Sequence, residues 1–427
     1  MGSGSLAANR YLASLSFPDY RRLFLSTSGA GLANWTLIVA RGWLAYHLTA
    51  SSTWVGIVTF AGFLPFMFGP IGGVLADRYD RKRLAAASTL SGCAFSLLLA
   101  AMTLPGSIEV WQLALVTVAM SIPRAGELPA RQALISNTVP PEMLINAVSL
   151  SSVATFGTRA VGPAVVIPMI DTLGAGGVFL LAAAFYAFST LTVLRIDAGH
   201  DVGVSRRATA TRNLAEGVAY IFRTPPVATL MFVVMFHCAL TMSFDSLLPV
   251  FAVQRLDAGG ASFSALAMGV GAGALVGSLY VSGVQGNSKG CHLLVFAVMS
   301  GLSPMVMALP MQLMSLPVAV AATAWMGATQ GAFMALSGAL IQVASPDELR
   351  GRVMSIYLLF AGGLMAWVNL VNGALADVWH VPLLFLLPAG AYLGILGVMY
   401  LTRQPMRSIF RDGSVGGAVR PELVPVP

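Results

Sequence analysis

The sequence predicts an all-α membrane protein: twelve transmembrane helices in two pseudo-symmetric six-helix bundles. Composition is the first reason. Hydrophobic residues make up 57% of the chain and charged residues only 10%, against roughly 25% charge in a soluble domain, which is more apolar surface than a globular core can hide. The second reason is a set of charge-free runs, Leu84 to Ile108, Thr172 to Leu194, Val353 to Ala376 and Val378 to Thr402. Each fits the roughly 20 helical residues needed to cross about 30 Å of hydrocarbon. Lipid demands that backbone polar groups be satisfied within each segment, and the ~10-residue alternation of a barrel strand is absent. The third reason is a repeat: ALISNTVPPEMLINAVS (133–149) resembles ALIQVASPDELRGRVMS (339–355) about half a chain later.

The elements follow in order. Segment 1–22 is too polar for a secretory signal and is expected in the cytoplasm. Helices 1 to 3 are expected at 23–47, 54–76 and 84–104, with a charge cluster between the last two. Helix 4 (110–131) carries a polar stripe between Pro123 and Pro129, helix 5 (144–170) starts after Pro140 and Pro141, and helix 6 covers 176–195. The longest connection follows, and within it ATRNLAEGVAYIFRT places Leu214, Val218, Ile221 and Phe222 on one face of a short surface helix. The second set is 226–250, 263–283, 290–309, 317–341, 351–376 and 381–402, with Pro310 and Pro317 splitting one long apolar run in two. The chain thus divides into bundles 23–195 and 226–402, a linker 196–225 and a cytoplasmic tail 403–427. Such duplicated halves are a transporter architecture with the substrate site at midplane.

Net charge is +7, which could signal nucleic-acid binding. The positions argue otherwise, since twenty of the 24 basic residues fall in the termini and even-numbered loops and only Arg255 in the odd-numbered ones. That bias is expected to place both termini in the cytoplasm and leaves no basic surface for nucleic acid. Cys93, Cys238 and Cys291 form neither a disulfide framework nor a metal set, and the five histidines are dispersed. Without a metal cluster, a nucleophile triad or a G-x-x-x-x-G-K-[ST] phosphate loop, no cofactor is expected, and neither an enzyme nor an ATP-driven pump.

The stretch GGVLADRYDRKRL (Gly72 to Leu84) concentrates six charges in seven positions. It resembles the loop between helices 2 and 3 of the major facilitator superfamily, G-x-L-A-D-R-x-G-R-[KR]-x-x-L, with Asp80 where Gly is usual. SFPDYRRLFLSTSGAGLANW, ARGWLAYHLTASS and TVPPEMLINAVSLSS resemble a bacterial efflux branch that includes the enterobactin exporter and related drug and siderophore exporters, over residues 16 to 403. The resemblance implies the major facilitator fold and a cytoplasmic latch in which Gly73, Asp77, Arg78, Arg81 and Lys82 close the interface between halves. It also points to Gly157, Gly162 and Pro163 as the remnant of the exporters' G-x-x-x-G-P-x-x-G-G stretch, close-packing residues of helix 5. Many relatives carry an acid where this chain has Asn34.

Ionisable side chains inside a span are costly unless they face a cavity or a partner. Arg41, Arg124, Glu127, Arg159, His237 and Asp245 meet that description. Arg124 and Glu127, three apart, are expected to pair. Three arginines against two acids leave a +1 cavity, which favours an anionic or zwitterionic solute. The expected substrate residues are Arg41, Asn34, Arg124, Arg159, Asn369 and Asn372. The expected proton-coupling residues are Glu127, then Asp245, then His237. Together with the resemblance to exporters, these residues imply export of a small organic solute by a proton-coupled monomer working by alternating access, with a lipid or lysolipid flippase as the alternative.

Overall fold

The computed structural model describes residues 12–69, 71, 72, 75, 79–197, 210–256, 259–282, 284 and 289–412. All regular elements among these residues are helical. The first half holds α1 (Pro18–Thr49), α2 (Ser52–Met67), α3 (Arg81–Thr103) and a broken α4 (Val110–Arg124 and Glu127–Thr138). Its last spans, α5 and α6, are the two arms of Leu144–Leu194, which turns at Gly174. There φ is +63°, a conformation open to glycine and costly for any residue with a Cβ. The second half holds a broken α7 (Pro225–Thr241 and Leu247–Leu256), α8 (Gly260–Ser282), and α9 (Lys289–Leu302, continued as a 3₁₀ turn Ser303–Ala308). It ends with α10 (Leu316–Ala344), α11 (Asp347–Leu358, a π turn Leu359–Gly363, and Leu364–Ala376) and α12 (Val381–Thr402).

Local chemistry sets several of these starts. Proline occupies the first turn of α1, α7, α10 and α12, where its missing N–H costs nothing. Asp80 caps α3 by accepting from the Lys82 and Arg83 amides at 2.9 and 3.1 Å. That explains an acid where the superfamily motif has glycine.

The halves meet along α2 against α11 and α5 against α8. Both contacts depend on backbones coming together without side chains between them. A Cβ on Gly271 of α8 would lie 2.3 Å from the Arg159 carbonyl of α5, and one on Gly56 of α2 only 3.1 Å from the Gly373 Cα of α11. Small residues serve this purpose in a bilayer, where lipid tails give helices no hydrophobic reason to associate.

Four expectations need correcting. The α4 span continues to Thr138 rather than ending at Arg131, which lies 7% exposed inside the bundle. Helix 7 is interrupted over 242–246 rather than continuous. The linker helix, Ala210–Arg223, rests on the second half: Tyr220 donates to the Ala344 carbonyl at 2.8 Å and Glu216 pairs with Arg352. Ile221 is buried there, whereas Phe222 is 62% exposed and turns away. Finally, Gly157 faces open space and packs against nothing, while Gly162 does bring α5 onto α1, its Cβ position lying 2.6 Å from Trp35 Cβ.

Candidate functional site

The interruption of α7 frees backbone groups that would otherwise close the helix, and each needs a partner where water is scarce. Neighbouring helices provide them. Gln330 of α10 donates to the Thr241 carbonyl at 2.8 Å, Asn372 of α11 to the Ser243 carbonyl at 2.5 Å, and Asn369 Oδ1 accepts from the Ser246 amide at 3.0 Å. Ser246 Oγ returns a bond to the Asn369 carbonyl at 2.9 Å. Asn369 and Asn372, expected to touch substrate, are therefore buried splints: Asn372 Nδ2 and Asn369 Oδ1 are committed to the α7 backbone, and Asn369 Nδ2 to the Met365 carbonyl of its own helix.

Asp245 sits inside this splinted break, half-buried. It borders a pocket formed by Trp35, Ile38 and Val39 of α1, Arg159 of α5, Asp245 and Leu248 of α7, and Phe263, Ala267 and Val270 of α8. Two elements come from each half. Arg159 lies over the Trp35 ring, its Cζ 4.9 Å from the centroid, a cation-π arrangement that fixes the guanidinium on a rigid apolar plate. The adjacent Gly162 lets α5 reach Trp35 at all. A guanidinium on one half thus shares a mostly apolar chamber with a carboxylate on the other.

The remaining expected site residues lie elsewhere. Glu127 is 7% exposed and its close partner is Arg131, Nε to Oε1 2.8 Å; the expected partner Arg124 stands off at 3.9 Å. Ser88 of α3 donates to the second Glu127 oxygen at 2.8 Å, and Arg131 reaches Ser26 of α1 at 3.0 Å and Ser189 of α6 at 3.1 Å. This saturated network ties four helices of one half together. Arg124 donates to Asn34 Oδ1 at 2.5 Å, so Asn34 serves it as a neutral acceptor. Arg41 is 4% exposed, donates to the Leu37 carbonyl at 3.2 Å and points toward Gly62 within the first half. His237 is fully buried between Phe333 and Tyr392, both ring nitrogens unpartnered among the described residues.

Gly73, Asp77 and Arg78 of the expected latch lie outside the described residues. The other two members bond within their own half, Arg81 to the Ala133 carbonyl at 3.5 Å and Lys82 to the Ile196 carbonyl at 2.6 Å.

The α7 interruption itself had a sequence signal that periodicity passed over. Ser243, Asp245 and Ser246 crowd three polar residues into an apolar span, and Asn369 with Asn372, three apart on another span, supply the complement.

Comparison with known proteins agrees with this architecture. The chain is 26% identical to macrolide efflux protein A of Streptococcus pyogenes over 313 residues, 72% of this chain and 77% of that protein. It is 26% identical to the multidrug efflux pump Tap of Mycolicibacterium fortuitum over 391 residues, 87% and 92% of the two chains. A crystal structure of a POT family transporter bound to a thioalcohol-conjugated peptide superposes with a TM-score of 0.71 at 14% identity, covering 91% of this chain and 96% of that one, a likeness of fold alone. The profile of the transmembrane secretion effectors matches residues 10–413. The chain therefore belongs to the transmembrane secretion effector family of the major facilitator superfamily and is a multi-pass efflux transporter of small molecules, not an enzyme.

Proposed function

We propose that this exporter carries a small organic zwitterion or anion, a drug, siderophore or other metabolite, by alternating access in exchange for entering protons. The observation that carries this reading is the pocket between the halves, with Arg159 stacked on Trp35 facing Asp245 in the α7 break. A solute with a carboxylate and an amine meets a complementary charge on each half. Bundles 23–195 and 226–402 are the bodies that rock about it, within a bacterial inner membrane and with both termini in the cytoplasm. Unwound helix segments at the midplane are where transporters place cargo and coupling ions, because the freed dipoles and side chains have no helix to serve. Asp245 replaces Glu127 as the first candidate for the proton, since Glu127 is locked in a saturated network and Asp245 is free to exchange cargo for a proton. The names of two relatives, a macrolide efflux protein and a multidrug efflux pump, support a drug as one such cargo.

Equilibrium binding of a zwitterionic xanthene dye to the purified protein tests the pocket. Arg159→Gln and Asp245→Asn should each weaken binding about tenfold, the effect of losing one charge-assisted contact. An anionic analogue of the same dye should respond to Arg159→Gln alone. Binding unaffected by either change would remove the pocket from the cargo path.

A further inference from the structure

Asp377 ends α11 at the same end of the molecule as the connection between α1 and α2. A carboxylate there meets the unfavourable end of its own helix dipole, yet its oxygens accept four hydrogen bonds from the other half. Ser51 Oγ donates at 2.8 Å, the Ser52 amide at 2.6 Å, the Thr53 amide at 3.0 Å and Thr53 Oγ1 at 2.6 Å. Ser51, in the N-cap position of α2, makes no side-chain cap bond of its own. The cap of α2 is thus supplied by the opposite half, and the orphan amides of its first turn have Asp377 as their acceptor.

From there α11 continues inward. Gly373, one turn below, touches α2 so closely that a Cβ would lie 2.6 Å from the Ser52 carbonyl. Asn372 and Asn369 then hold the α7 break in which Asp245 sits. Any motion that parts α2 from α11 at this end must strip the cap and move the helix that splints the pocket.

We propose that Asp377 is a gating residue: it holds the outer exit of the pocket shut by capping α2 across the half boundary, and cargo leaves only when that cap is released. The proposal rests on the alternating-access reading above, but its test does not need transport.

Spin labels at Leu48→Cys and Leu313→Cys, 41% and 61% exposed on the two halves at this end, report the opening by pulsed dipolar spectroscopy. The full chain is used in nanodiscs, with the native cysteines replaced. Asp377→Asn keeps one acceptor oxygen and turns the other into a donor, so the long-distance population relative to the short one should rise about tenfold, or ~1.4 kcal/mol. Ser51→Ala combined with Thr53→Val removes donors from the other half without touching Asp377 and should produce a shift in the same direction. All three changes together should shift the ratio by less than the product of the two effects, the signature of one shared contact. An unmoved ratio in Asp377→Asn, or independent multiplicative effects, overturns the clasp. A shifted ratio in a protein that carries no cargo overturns the export reading and leaves the clasp standing.

Discussion

Glu127 and Asp245 are both carboxylates inside membrane spans, yet their surroundings give them opposite fates. Glu127 has an arginine at 2.8 Å and a serine on its other oxygen, so removing its charge strands a buried Arg131. Glu127→Gln should cost about 3–5 kcal/mol of stability, read by thermal unfolding in detergent, while leaving the pH dependence of transport as in the parent. A changed pH profile with parental stability would return Glu127 to the coupling role. Asp377, at the water-exposed outer end, makes a different pH prediction. Burial works against its charge, but the Thr53 and Ser51 hydroxyls and the Ser52 and Thr53 amides outweigh it and hold the carboxyl below its usual value of 3.8. A depressed value means the clasp is present above 3.8 and lost as pH falls through the lower, clasped value. The outer-end distance distribution should therefore stay constant from neutral to mildly acidic pH and open only below about pH 4.

At the scale of elements, the α7 break is the feature on which the site depends. Asn369→Ala leaves the Ser246 amide without its acceptor, a loss of about 1–3 kcal/mol. Transport should fall while the protein still inserts, and hydrogen exchange at 242–246 should rise; unchanged exchange there would show that the break does not need its splint. Gly373→Val places a side chain against the Ser52 carbonyl and should open the outer end even with Asp377 intact, as the same spin-label pair would report. The twelve spans were legible in the sequence because charge-free runs of the right length can hardly do anything else. The break left only the crowding of Ser243, Asp245 and Ser246 as a trace, because its stability comes from Gln330, Asn369 and Asn372 on other helices, and a local pattern does not say which distant partners it meets. The expected Arg124 and Glu127 pair is present only as a long contact of 3.9 Å for a related reason: the helix breaks between them, and Arg131, four residues on, takes the close position at 2.8 Å.

For the whole molecule, the family and its two-halved fold could be read from the GGVLADRYDRKRL loop and the repeat. Which ionisable groups reach the chamber could not, since that depends on how the halves dock. Arg41 and Glu127 turn into their own bundle, whereas Arg159 and Asp245 meet across the boundary. The α2 and α11 backbones touch, and Asp377 caps α2 across the same boundary between the halves. The central claim is that Asp245 couples cargo to protons, and dye flux in proteoliposomes tests it most directly. Asp245→Asn should abolish flux driven by an imposed pH gradient while retaining gradient-free exchange of dye across the membrane. Gradient-driven flux at the parental rate in that variant would contradict the account.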